Sequence, residues 1–298
     1  MTGTGVAESA EVVGGIERIG VAGSGIMGAG IAELCAKAGC DVRVAVSSDT
    51  SLQTGPARVT RSLDRALSKG KITEEQRDQA LRRITFTRDL GELSDRQLVI
   101  EAVKEDEALK LDLLTSLDKI VQAPDAILAS NTSSLSVARL AHATTRPEHV
   151  IGIHFFNPAP VLPLVEIVDS ILTDPQVSRR TEDFVVGRLG KTAIKSPDRA
   201  GFVVNALLFP YLLSAIRMVD SGLATAEVID QGMTLGCSHP LGPLRLADLI
   251  GLDTTVSIAE ALYEESKEPL YAPPALLLRM VEAGLLGKKS GRGFYTYP

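Results

Sequence analysis

Apolar and polar positions alternate in blocks along the first two thirds of the chain. In "ERIGVAGSGIMGAGIAELCAKAGCDVRVAV", Ile19 and Val21 precede Gly23. Ile31, Leu34 and Cys35 then recur at helical spacing, and "VRVAV" restores a short apolar run. This predicts strand, glycine turn, helix and strand, with Gly39 placed to end the helix. Residues 51–83 are charged and helical in pattern, with Leu63 and Leu67 on one face and "KGK" as a break. Strand-like runs recur at 84–87, 97–103, 126–131 and 149–156, and a helical stretch at about 105–122 separates the second from the third. "LPLVEIV" and "KTAIKS" predict added strands, with a helix near 175–188 between them. The alternation predicts an α/β fold with a Rossmann-type, doubly wound, mainly parallel sheet.

The pattern changes near "SPDRAGF" (196–202), beyond which strand signals almost vanish. "NALLFPYLLSAIRMVDSG" predicts a long buried helix and "AEVIDQGMTLG" a shorter one, and two more helical stretches follow. The expected organisation is a flexible tail over 1–15, a dinucleotide-binding domain over 16–197 and an all-α domain over 198–298.

Composition narrows the function classes. With 298 residues, 45% of them hydrophobic, the chain can build a sizeable core. A net charge of −6 argues against a nucleic-acid footprint, which needs a basic face, but leaves room for a small anionic ligand. Cys35, Cys40 and Cys237 are scattered and contain no CxxC, as expected of reduced cytoplasmic thiols, and no metal site is expected. No run of 18 apolar residues suggests a membrane span. The first residues lack a basic stretch followed by an apolar core, so no signal peptide is expected.

The glycine turn carries the first chemistry. "GSGIMG" fits GxGxxG at Gly23, Gly25 and Gly28, with Ser24, Ile26 and Met27 between them, in the strand–turn–helix context that dinucleotide binding requires. An acid usually stands at the tip of the second strand to grip the adenosine ribose. Here that tip is Val46, followed by Ser47 and Ser48; Asp49 comes late and Asp41 lies at the wrong end. Ribose binding is therefore looser, or a 2′-phosphate is no longer repelled. No arginine directly follows the tip, and Arg58 reaches it only if its helix folds back.

Ligand-facing residues of a parallel sheet lie at the carboxyl ends of its strands. "SNTSS" (130–134) and "HFFNPAP" (154–160) hold such positions, which brings Asn131, Ser133, His154 and Asn157 towards a nicotinamide. Glu166 is a lone carboxylate in the apolar run "PLVEIV" and needs a partner, for which His154 is a candidate. Taken singly, each of these residues also suits an ordinary turn or a satisfied buried polar group.

"GSGIMGAGIAE", "VIEAVKED", "ASNTSSL", "HFFNPAPVLPLVEIV", "GFVVNALL", "HPLGPLRLADLIGLD" and "GKKSGRGFYTY" occur in order over residues 16–298. In these motifs the chain resembles the short-chain 3-hydroxyacyl-CoA dehydrogenases, particularly their bacterial 3-hydroxybutyryl-CoA branch. The resemblance implies an NAD-dependent oxidoreductase acting on short 3-hydroxyacyl-CoA thioesters, with a catalytic His154–Glu166 pair. It implies Ser133 on the substrate oxygen and Asn205 as a further catalytic residue. It also implies cofactor contacts from Glu105, Lys110, Ser133, Asn157 and Lys289, coenzyme A contacts from Ser62 and Lys69, and a homodimer through the helical domain. Val46 departs from the pattern, so NAD(H) is expected by resemblance and NADP(H) use by the missing acid.

Two other readings compete. A hydroxyisobutyrate-type dehydrogenase would carry a lysine in a "KxxNN" stretch, and "LGKTAIKSPDRAGFVVN" lacks that pattern. A non-catalytic dinucleotide sensor or crystallin-like protein would not need His154, Glu166, Ser133 and Asn205 together.

Overall fold

In a computed structural model, residues 15–298 are described. Apart from Gly15, the tail expected over 1–15 lies outside them. The first part of the chain runs β1 (Arg18–Ala22), α1 (Ile26–Lys37), β2 (Asp41–Ala45), α2 (Asp49–Ser68), α3 (Glu74–Arg82), β3 (Ile84–Thr87), β4 (Leu98–Glu101), α4 (Glu107–Ile120), β5 (Ile127–Ser130), α5 (Val137–His142), β6 (Val150–Phe155), β7 (Leu164–Asp169), α6 (Pro175–Asp183) and β8 (Thr192–Pro197). The strands form one sheet in the order β3-β2-β1-β4-β5-β6-β7-β8. Every neighbouring pair is parallel except β6–β7, which is antiparallel.

The central strands are buried along most of their length, which is why they read as near-continuous apolar runs rather than alternating ones. One face packs Ile19, Val21, Val42 and Val44 with Ile31 and Leu63 of the adjoining helices. The other packs Val99 and Leu128 with Leu114, Leu117 and Leu140. β4 stops at Glu101, earlier than the apolar run suggests. Its carboxylate accepts from the Val103 N–H at 2.7 Å and turns the chain out of the sheet.

The rest is helical: α7 (Val204–Asp220), α8 (Ala226–Gly236), α9 (Pro243–Ile250), α10 (Leu252–Ser266) and α11 (Ala275–Glu282). They pack around Leu213, Ile216, Leu244, Leu252 and Leu277. α7 is not buried all round, as its sequence suggested. Phe209, Leu212, Leu213 and Ile216 turn inwards, while Leu207 is 75% exposed. The junction is anchored to the sheet domain, because Asp198 accepts from the N–H groups of Val137 and Ala138 at the start of α5. Gly201 and Phe202 then both adopt left-handed backbone, at φ 75° and 48°. For phenylalanine that conformation costs about 1–2 kcal/mol. No helix among the described residues is long and apolar enough to cross a membrane.

Candidate active site

The glycine turn joins β1 to α1 and forms the floor of a cleft of about 900 Å³. Two of its glycines are required by the protein itself. Gly23 has φ 109°, and a Cβ there would lie 2.7 Å from the Ala102 carbonyl oxygen; a Cβ on Gly28 would lie 2.1 Å from the Gly23 oxygen. Gly25 differs, because a Cβ there would meet nothing within 4 Å. Its bareness leaves space on the cleft side, at the start of α1, where no side chain caps the helix. Unpartnered N–H groups at a helix start, reached over a bare glycine, suit a pyrophosphate. The residues present therefore fit a dinucleotide.

Gly23, Ser24, Gly25, Ile26, Met27, Val46, Ser47, Glu105, Asn131, Ser133 and Asn157 all line this cleft, and Gly28 packs behind it. Asn131 Oδ1 accepts from the Phe155 N–H at 3.0 Å and so links the ends of β5 and β6. Glu105 accepts from the Thr132 and Ser134 hydroxyls and from the Ser133 N–H at 3.2 Å. Burial raises the Glu105 pKa, but Lys110 and the two hydroxyls outweigh it and hold the carboxyl below its ordinary value.

Lys110 is not at the cleft wall. It is 1% exposed and sits between Glu101, at 2.7 and 2.8 Å, and Glu105, at 3.2 Å. The Ser130 hydroxyl donates to the same Glu101 carboxylate at 2.6 Å. Lys110 lies nine positions after Glu101, on the face of α4 turned to the sheet, so its charge is neutralised beneath the site rather than offered to a ligand. Lys289 also stands off the wall, ion-paired with Asp253. Its neighbour Thr254 does line the cleft, bringing the helical domain to it.

The pairing of His154 with Glu166 follows from strand register. In the antiparallel β6–β7 ladder, His154 and Glu166 are direct cross-strand partners. His154 Nδ1 lies 2.7 Å from Glu166 Oε2. Glu166 is fully buried, and its other oxygen accepts from the N–H groups of Val203 and Val204 at 3.0 and 2.9 Å. One carboxylate thus fixes the imidazole and the start of α7 together. Phe156 and Phe202 pack against the ring, tilted to it, with centroids at 4.6 and 5.5 Å. Asn205 is buried one residue beyond Val204, on the first turn of α7. With Nδ1 committed, Nε2 is the nitrogen left for proton exchange.

A second hollow of about 350 Å³ is lined by Ser62, Arg58, Arg61, Arg65 and Glu33, and it shares Asn157 and Ile26 with the main cleft. Burial pushes the Glu33 carboxyl up, opposed by Ser62 and Lys37. Lys69 is absent from the wall; it is the exposed residue that ends α2. Two arginines have roles not anticipated from the sequence. Arg58 Nη1 donates to the Ser24 carbonyl at 2.9 Å and braces the glycine turn. Arg88, just past β3, lines the cleft beside Ser47. The signal for Arg88 was the β2–β3 pairing, which sets Ala45 opposite Thr87.

The model of the 3-hydroxyacyl-CoA dehydrogenase NAD binding domain matches residues 18–199, and that of the 3-hydroxyacyl-CoA dehydrogenase C-terminal domain matches 201–297. A 3-hydroxybutyryl-CoA dehydrogenase of Mycobacterium tuberculosis is 58% identical over 282 residues, covering 95% of this chain and 99% of the relative. The crystal structure of M. tuberculosis FadB2 superposes with a TM-score of 0.94 at 58% identity, over 95% of this chain and 100% of that one. The crystal structure of (S)-3-hydroxybutyryl-CoA dehydrogenase from Ralstonia eutropha gives 0.90 at 44% identity, over 95% and 99%.

Proposed function

The chain belongs to the 3-hydroxyacyl-CoA dehydrogenase family and interconverts 3-hydroxyacyl-CoA and 3-oxoacyl-CoA with a nicotinamide cofactor, and from this premise we propose that His154 and Glu166 perform its acid–base chemistry. The observation that carries this reading is the 2.7 Å His154–Glu166 hydrogen bond between neighbouring strands.

Neutral His154 takes the substrate hydroxyl proton through Nε2 as the 3-oxo group forms, and returns it in reduction. Glu166 keeps Nδ1 protonated, orients the ring and stabilises the imidazolium, acting through His154 rather than on the substrate. Ser133, in the cleft wall, and Asn205, on α7, position the reacting oxygen and the neighbouring thioester carbonyl. When bound, the nicotinamide accepts the hydride in oxidation and supplies it in reduction.

Gly23 to Gly28, Asn131, Ser133 and Asn157 hold the dinucleotide. Glu105 shapes the wall, and Lys110 holds Glu105 in place. Ser62 and the arginines of its hollow face the phosphorylated end of coenzyme A, with Lys69 at the rim. Lys289 acts through Asp253 on the helical-domain wall. Short acyl chains are the proposed substrates, supported by the 3-hydroxybutyryl-CoA dehydrogenases among the relatives.

The boundary near residue 198 is supported by the end of β8 at Pro197 and the start of α7 at Val204. A homodimer through the helical domain is supported by the exposure of Leu207, Leu223, Val228, Leu235 and Leu249, which water would leave unpaired in a monomer. Cytoplasmic placement is supported by three cysteines that form no disulfide.

The test is reduction of acetoacetyl-CoA with a reduced nicotinamide, alongside light scattering of the enzyme. Robust turnover that collapses in His154→Gln supports the assignment. Near-normal turnover in that variant overturns it.

A further inference from the structure

At the β2 end of the cleft, the residue that ordinarily excludes a phosphate is missing and a cation has taken up position. Val46 lines the cleft and is only 6% exposed, so the strand tip presents an apolar wall instead of a carboxylate. β2 and β3 are paired in parallel, and the Val46 N–H donates to the Thr87 oxygen at 2.9 Å. Arg88 is the next residue, so the register delivers its side chain to the same wall, where it lines the cleft with Ser47 and Ser51.

The nearest carboxylate does not cancel this arrangement. Asp49 is 76% exposed and accepts from Arg88 Nη1 at 2.8 Å. That uses one of the five N–H donors of a guanidinium, and among the described residues Arg88 makes no other hydrogen bond. The Ser48 hydroxyl is engaged with Ser51, whereas that of Ser47 has no partner among the described residues. α2, 20 residues long, starts here and turns its N-terminal end to the same place. Arg58 adds a second guanidinium beneath the turn. Glu92 does not line the cleft; it accepts from the Thr87 hydroxyl and pairs with Arg43.

We propose that Val46, Ser47 and Arg88 form a subsite for the 2′-phosphate of an adenosine ribose, so that the enzyme takes NADP(H) in preference to NAD(H). The guanidinium meets the phosphate through the donors that Asp49 leaves free, and Ser47 adds a hydroxyl. Val46 contributes by removing the charge that would repel the phosphate. The proposal rests on the dehydrogenase reading above and names the cofactor form that site takes.

The test is binding of adenosine 2′,5′-bisphosphate and of 5′-AMP to the full-length enzyme by calorimetry. The wild type is expected to prefer the bisphosphate by at least roughly tenfold, equivalent to about 1.4 kcal/mol. Arg88→Ala and Val46→Asp should each remove most of that preference, with the loss falling on the bisphosphate. Equal affinities in the wild type overturn the proposal. So do equal losses for both nucleotides in Arg88→Ala, which would make the arginine a platform for the adenine. Acetoacetyl-CoA assays separate this from failure of the enzyme assignment. Turnover with NADH and none with NADPH removes the subsite and leaves the dehydrogenase intact. A bisphosphate preference without turnover by either cofactor leaves the subsite and removes the substrate.

Discussion

Where β6 pairs with β7, Glu166 is fully buried and both its oxygens are engaged, one by His154 and the other by two backbone N–H groups. At the β2–β3 end, Ser47 and Arg88 are exposed, and the only hydrogen bond to the Arg88 guanidinium among the described residues is with the exposed Asp49. The first end is built for one geometry, because a buried carboxylate persists only with its partners in place. The second can be re-specified by one or two side chains without disturbing the sheet. The proposed chemistry thus resides where the structure is over-determined, and the proposed cofactor choice where it is not.

The comparison can be broken most sharply at the buried end. His154→Gln should fold and bind cofactor as the wild type does, yet turn over acetoacetyl-CoA about 100-fold more slowly or worse, the scale of lost general-base catalysis. Stopped-flow or steady-state rates decide this. Glu166→Ala should damage both fold and rate. It strands the Val203 and Val204 N–H groups, each at about 1–3 kcal/mol, so thermal melting should show a clear loss of stability. Glu166→Gln keeps an acceptor for α7 and should melt close to the wild type while remaining slow. A slow, stable Gln variant beside an unstable Ala variant would separate the two roles of this carboxylate.

Smaller effects are expected towards the exposed surface. Arg65→Ala, in the second hollow, should raise KM for acyl-CoA more than for the same acyl group on a pantetheine thioester, by severalfold, as expected for one partly exposed charged contact. Lys69→Ala should do so less, because Lys69 stands outside the wall. Equal effects of both changes on both substrates would move coenzyme A elsewhere. The smallest effect concerns Glu105, whose pKa is held below its ordinary 4.5. A depressed carboxyl contributes stability that is complete above the unfolded value and is lost as pH falls through the folded one. Glu105→Gln should therefore flatten the melting temperature's fall below about pH 4.5 and change little near neutrality. An unchanged acid limb would show that Glu105 is not tied as described.

The sequence made the buried end legible for a physical reason. A lone glutamate in an apolar strand demands a partner, and a histidine twelve residues earlier, across a short connection, is one that an antiparallel ladder supplies. The glycine turn was equally readable, since Gly23 and Gly28 answer to backbone contacts that any residue with a Cβ would violate. Arg88 is not legible from the residues that follow Val46, because the cation comes from the end of the adjoining strand, 42 residues later in the chain. The resemblance assigns Lys110 to the cofactor, and periodicity cannot place it otherwise, because it shows that a helix has a buried face but not which buried carboxylates wait beneath it. The exposed side of α7 is hidden in the same way: an unbroken apolar helix reads alike whether or not its whole surface is covered.

The central claim is that Glu166 acts on the reaction through His154. A double-mutant cycle in acetoacetyl-CoA reduction, with His154→Gln, Glu166→Gln and the double variant at saturating cofactor, tests it directly. The account predicts that the double variant is about as slow as His154→Gln alone, because the carboxylate has no protonated imidazole left to support. Losses that multiply in the double variant would contradict it and give Glu166 a role independent of the histidine.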